Sequence, residues 1–180
     1  LPLDRAVKTV RGEGSRVMVT FEDPNCPYCK KLWAGLQDLK NVTIYTFLFP
    51  ILSPDSMEKA KAIWCSKDRA ASWDEHIVQN KAPAAAPADC KTPLEQNVAL
   101  GHELGISGTP TIVFADGTRS AGAMPVPAIE QFRERCQRDE RPLRRTPDWV
   151  LHGLVDGIVD EFLPIVDEVD GTIDKLEEEI

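Results

Sequence analysis

Apolar and polar positions along the chain fall into runs with two different periods. Arg16 to Glu22 (Arg-Val-Met-Val-Thr-Phe-Glu) is rich in β-branched and apolar residues and predicts a strand. Asp23-Pro24-Asn25 closes it with turn-forming residues. From Pro27 onward Leu32, Trp33, Leu36 and Leu39 recur at three- and four-residue steps, predicting a helix with proline in its favoured first position. Asn41 to Phe49 is almost continuously apolar, the pattern of a strand covered on both faces. Pro54 to about Gln79 predicts helix, with Ser53 or Asp55 as its cap, and Lys81 to Asp89 predicts a loop. Thr92-Pro93-Leu94-Glu95 opens a further helix that runs to Leu104 and stops at Gly105. Thr111 to Phe114 predicts a strand, Asp116-Gly117 a hairpin turn, and Pro127 to Arg135 a closing helix. Ahead of all this, Leu1 to Arg16 reads as a leader whose first half forms one or two helical turns and which ends in the turn Gly12-Glu13-Gly14-Ser15. Strand, helix, strand, helical segment, strand, hairpin strand and helix together predict an α/β sandwich.

The pattern changes after Cys136. An arginine-rich stretch with Pro142 and Pro147 reads as a linker, and beyond it Leu151, Val155, Ile158, Phe162, Ile165, Val169, Leu176 and Ile180 make an apolar helical stripe with acids opposite. Gly153, Gly157, Pro164 and Gly171 weaken that stripe as an isolated helix. Charge follows the same division. Of a net −8, residues 148–180 carry −10, so the rest of the chain carries about +2. A near-neutral body with an acidic tail excludes the basic stripe that nucleic-acid binding requires. At 180 residues and 42% hydrophobic, the chain builds one full core with something left over. No run approaches the roughly 18 apolar residues of a membrane span. Because the chain starts at Leu1 without an export-signal pattern, it is expected to be a processed or excised piece.

Five cysteines carry the candidate chemistry: Cys26, Cys29, Cys65, Cys90 and Cys136. The first two form a C-x-x-C pair between a strand, a turn and a helix. That places the first sulfur at a helix N-terminus, where unpaired N–H groups and the helix dipole stabilise a thiolate, the attacking species in disulfide exchange. Two intervening residues keep Cys29 within reach of Cys26, so a mixed disulfide on Cys26 can be resolved by Cys29. The competing assignment is half of a zinc site. It needs a second pair, and Cys65 and Cys90 are isolated while His76 and His102 sit in no ligand-spaced motif. The residues favour redox chemistry with no metal and no cofactor. The bond between Thr109 and Pro110, just before a strand, is open to the cis form, which would leave facing backbone free for an extended substrate; a plain loop proline is the other reading. Cys65 and Cys90 either bridge a proline-rich loop, worth roughly 3 kcal/mol in an oxidising compartment, or stay reduced and buried.

Several segments together resemble the catalytic domain of the DsbC/DsbG family of periplasmic disulfide isomerases, over about Leu1 to Cys136. They are Phe21-Glu22-Asp23-Pro24-Asn25-Cys26-Pro27-Tyr28-Cys29-Lys30, Ala62-Ile63-Trp64-Cys65, Ala99-Leu100-Gly101, Ser107-Gly108-Thr109-Pro110-Thr111 and Asp116-Gly117-Thr118. The resemblance implies a thioredoxin-like fold with a helical insertion, a redox pair at Cys26 and Cys29, substrate contacts from Pro27, Tyr28, Thr109 and a cis Pro110, and a structural disulfide between Cys65 and Cys90. It also implies periplasmic residence, unfolded or misfolded disulfide-bearing proteins as substrates, and a membrane or soluble thiol reductase as partner. Residues 1–15 then correspond to a linker-helix remnant, 16–138 to the catalytic domain with its insertion at about 53–104, 139–147 to a linker, and 148–180 to an acidic amphipathic tail helix. The family's N-terminal dimerisation domain is not in this sequence. Many thioredoxin-fold proteins bury an acid six residues before the nucleophile; here that position is Thr20, with Glu22 nearby. Arg145-Thr146-Pro147-Asp148-Trp149-Val150-Leu151-His152, Val159-Asp160-Glu161-Phe162-Leu163-Pro164 and the ending Leu176-Glu177-Glu178-Glu179-Ile180 resemble the stalk helix of CorA-type magnesium channels. This chain lacks that family's membrane helices and its Gly-Met-Asn signature, so the likeness implies no conduction. Two classes of function follow. One is a thiol–disulfide exchange enzyme. The other is a fusion or oligomerising module in which the tail drives homo-oligomer assembly.

Overall fold

The computed structural model of the chain describes residues 1–114, 117–125 and 127–129. Among the described residues five strands form one mixed sheet: β1 (Val7–Arg11), β2 (Arg16–Glu22), β3 (Val42–Leu48), β4 (Thr111–Phe114) and β5 (Arg119–Ala121), in the order β1-β3-β2-β4-β5. β2 and β3 run parallel, and the other neighbours are antiparallel. The helices are α1 (Pro27–Leu36) between β2 and β3, then α2 (Pro54–Trp64), α3 (Arg69–Ile77) and α4 (Leu94–Glu103) between β3 and β4.

Burial follows the alternation of the strands. On one face Val7, Met18, Ile44, Leu48 and Ile112 pack with Leu32, Trp33 and Leu36 of α1, Ile63 of α2 and Trp73 and Ile77 of α3. On the other, Val19, Phe21, Phe47 and Phe49 pack with Ile106 and with Val98 and Leu100 of α4. β3 is therefore covered on both sides, as its unbroken apolar run predicts. Gly101 lets α4 approach closely: a Cβ there would lie 2.4 Å from the Phe49 ring.

Two expectations change in detail. The segment read as a linker-helix remnant has only one short helical turn, a 3-10 helix at Leu3–Arg5. The rest becomes edge strand β1, because Val7 and Thr9 alternate with exposed Lys8 and Val10 and pair with β3. The Gly12–Gly14 turn that follows needs glycine, since Gly12 has φ +60° and a Cβ would meet Asn41 Oδ1 at 2.3 Å. The helix expected over Pro54–Gln79 is two helices. Ser53 caps the first by accepting from Ser56 N, Asp68 caps the second by accepting from Ala71 N, and Cys65 ends the first. β4 and β5 make the expected hairpin, although Asp116 lies outside the described residues. So do most of the closing helix predicted at Pro127–Arg135, Cys136, the linker, and the tail with its likeness to a channel stalk.

Gly101→Ala is expected to lower stability by about 1–3 kcal/mol, because the Phe49 ring is fully buried and has no room to yield. Urea unfolding of the two chains measures this directly; an unchanged midpoint would show that the helix can lift from the ring without cost.

Candidate functional site

β2 carries the chain to the site and α1 carries it away. Between them, buried Asp23 fixes the turn with four hydrogen bonds. Its Oδ1 accepts from Asn25 N at 2.7 Å and Ser56 Oγ at 2.7 Å, and its Oδ2 accepts from Ile51 N at 2.8 Å and Leu52 N at 2.9 Å. The Asn25 carboxamide ties the same turn to α2: its Nδ2 donates to Ser53 Oγ, Asp55 Oδ2 and Ser56 Oγ, and its Oδ1 accepts from Lys59 Nζ at 2.7 Å. Buried His76 on α3 brings Nε2 to 2.9 Å from Pro24 O. The sequence marked Asp23-Pro24-Asn25 only as a turn. A buried carboxylate that gathers main-chain donors from two loops leaves no local signature.

Cys26 takes the N-cap position of α1, with Pro27 in the first turn. Its sulfur accepts from Cys29 N at 3.3 Å and donates to Thr109 O at 3.2 Å. The Thr109–Pro110 peptide is cis. Cys26, Cys29, Thr109 and Pro110 thus meet at one point, although residues 26 and 109 are 83 apart in the chain. Both cysteines are free thiols and almost fully buried, whereas Tyr28 is 61% exposed beside them. Cys65 and Cys90 are joined by a disulfide. Among the described residues no three His, Cys, Asp or Glu side chains gather as a metal ion would require, and His102 is exposed against Phe49 instead.

Electrostatics separate the two thiols. The hydrogen bond from the Cys29 thiol does most to lower Cys26; burial opposes it, and Thr109 and the N–H groups of Cys29 and Tyr28 add to it. The net effect takes Cys26 from the ordinary 9.0 to about 6. Cys29 moves far upward, first through burial, then through its hydrogen bond to Cys26 and the negative charge of Glu22. The sequence attributes the low value to the helix end. In the structure those N–H groups contribute, but the neighbouring thiol contributes more.

A family profile described as "Thioredoxin-like domain" matches residues 3–137. The "Probable thiol:disulfide interchange protein DsbC" of Bordetella parapertussis is 52% identical over 130 residues, covering 72% of this chain and 46% of that protein. The "Thiol:disulfide interchange protein DsbC" of Escherichia coli K12 is 34% identical over 126 residues, covering 68% and 52%. This chain therefore spans about half the length of the curated relatives it matches. The crystal structure of a disulfide interchange protein from Neisseria gonorrhoeae superimposes with a TM-score of 0.70 at 38% identity, covering 73% of this chain and 95% of that one.

Within the Cys26–Cys29 pair, alkylation of the reduced protein is expected to fall on Cys26, with a midpoint near pH 6, while Cys29 stays unmodified at neutral pH; mass mapping of iodoacetamide adducts against pH checks both. A thiol lowered by folding favours the folded reduced state in full above 9.0, and that advantage disappears as pH falls through about 6. Melting of the reduced chain across this window should show the trend, and Cys26→Ser should remove it.

Proposed function

The chain belongs to the thioredoxin-like family and, within it, to the disulfide interchange proteins, and from that premise we propose that it is a thiol–disulfide oxidoreductase and isomerase acting through Cys26 and Cys29. The observation that carries this reading is the Cys26 sulfur at the head of α1, held by Cys29 on one side and by the cis Thr109–Pro110 peptide on the other. Cys26 as thiolate attacks a substrate disulfide and forms a mixed disulfide, expelling one substrate thiolate. Cys29 then attacks Cys26, the protein disulfide forms, and the second substrate sulfur departs. Isomerisation is the same first step, with another substrate thiol instead of Cys29 displacing Cys26. A thiol near 6 suits both roles, because it is ionised at neutral pH and is also a good leaving group.

Pro27 and Tyr28, both exposed, together with Thr109 and Pro110 are the proposed substrate contacts. The exposed Tyr28 ring suits the apolar side chains that unfolded or misfolded proteins present more fully than folded ones, and such disulfide-bearing chains are the proposed substrates. The Cys65–Cys90 disulfide supports an oxidising compartment, and the periplasm is the proposed location. No helix among the described residues is long and apolar enough to cross a membrane. Continued isomerase turnover needs a reduced Cys26, so a thiol reductase is the proposed partner.

Reduction of insulin disulfides by thiol reductant should be accelerated by the chain and lose that acceleration with Cys26→Ser. Cys29→Ser should accumulate a mixed disulfide with substrate, visible on a non-reducing gel. Undiminished catalysis by Cys26→Ser would end this reading. Recovery of a scrambled multi-disulfide protein then measures isomerase against simple reductase activity.

A further inference from the structure

Two buried polar side chains flank the redox turn, Glu22 and His76. Glu22 accepts from Trp33 Nε1 at 2.7 Å and leaves Oε2 over, which ties the end of β2 to α1. His76 has no part in the exchange steps, yet it is tied on both sides of its ring. It stands on the buried face of α3 with Trp73 and Ile77, only 4% exposed, so packing fixes where its nitrogens point. Nε2 lies 2.9 Å from Pro24 O, in the turn that presents Cys26, and Nδ1 lies 3.0 Å from Lys81 O.

Both partners are carbonyl oxygens, which only accept. A neutral imidazole has one N–H and one lone pair, so one of its nitrogens would turn a lone pair on a carbonyl at contact distance. Among the described residues no other donor reaches Pro24 O, and losing that bond would leave a buried acceptor unsatisfied. The ring that satisfies both oxygens is the imidazolium. Lys81 is itself anchored: its N–H donates to Glu75 O at 3.1 Å and its Nζ pairs with Glu75 Oε2 at 2.6 Å. From Lys81 the chain runs to Cys90, which is bonded to Cys65 at the end of α2. His76 thus braces the redox turn against the start of a loop whose far end is covalently closed.

We propose that His76, as the imidazolium, is a positioning residue for Cys26: it holds Pro24 O from Nε2 and Lys81 O from Nδ1, so that the turn keeps the sulfur at the head of α1. This rests on the exchange reaction proposed above. The groups that lower Cys26 are Cys29, Thr109 and the N–H groups of Cys29 and Tyr28, and each depends on where the turn sets the sulfur. The charge on the ring is met on α2, where the Asp55 carboxyl is held below its usual range by Lys59 first, then by Asn25, and last by His76. The other charges around it are paired: Lys59 with Asp55, Glu75 with Lys81, and Asp23 with its four donors.

Three substitutions separate the arms of the ring. In His76→Gln the amide reaches where Nε2 sits and keeps a donor for Pro24 O. In His76→Asn it reaches where Nδ1 sits and keeps one for Lys81 O, and His76→Leu fills the space with no donor. Each reduced chain is reacted with iodoacetamide between pH 5 and 9, and the Cys26 adduct is read by mass mapping. His76→Asn and His76→Leu should raise the Cys26 midpoint by about one pH unit, slowing its alkylation about tenfold at pH 5, and His76→Gln should recover most of that loss. A histidine that only filled space would not divide the three in this way. The ring itself is read in the full chain carrying His102→Gln and His152→Gln, which leaves His76 as its one histidine. Its ¹⁵N spectrum at pH 7 should show a hydrogen on both ring nitrogens. Equal Cys26 midpoints in His76→Gln and His76→Leu would overturn the proposal while leaving the exchange reaction intact. So would a bare nitrogen on the His76 ring, a reading that needs none of the three variants to fold. If Cys26 of the unaltered chain reacts with oxidised glutathione no faster than free cysteine, the exchange reading itself falls, and this assignment with it.

Discussion

One short contact organises the site: the Cys29 backbone N–H directed at the Cys26 sulfur across the first turn of α1. It makes a side-chain sulfur do the work of an N-cap oxygen, so completing the helix and stabilising the anion are the same act. The Cys29 thiol joins from the same direction and takes the larger share. The arrangement works because one sulfur sits at the N-cap against Thr109 O, while the other lies one turn on, fully buried in the core. A single helical turn thus separates two chemically identical groups into one that ionises near neutral pH and one that does not.

Much of this was legible from the sequence. Period-two and period-three-to-four patterns mark β2, α1, β3 and β4 nearly to the residue, because each buries apolar side chains at that period, and Pro93 and Gly105 mark the ends of α4. The edge strand β1 was not legible. Its five residues are half exposed, and only pairing with β3 makes them a strand. The break between α2 and α3 was also hidden, since Ser66-Lys67-Asp68 is as polar as any exposed helix surface and contains neither Gly nor Pro.

At the site, the spacing of Cys26 and Cys29 and the motif around Pro110 were readable as chemistry. What brings residue 109 to residue 26 was not, because it depends on β4 lying beside β2. Glu22 is the sharper case. In the sequence it looks like the polar end of a strand, and Trp33 looks like one more core residue on the helix stripe. Their bond, and the buried oxygen it leaves over, exist only once β2 and α1 pack together.

The four-donor grip on Asp23 has a consequence for redesign. The redox turn and the segment leading into α2 share one buried carboxylate, three of whose donors are main-chain N–H groups, so the backbone course of one constrains the other. Losing the Ile51 and Leu52 amides or the Ser56 hydroxyl would strand a charge that solvent cannot reach. The insertion is therefore not an interchangeable ornament on a sheet. It and the turn that presents Cys26 are tied through one carboxylate, and grafting a foreign insertion onto this scaffold would have to bring its own replacement for those three donors.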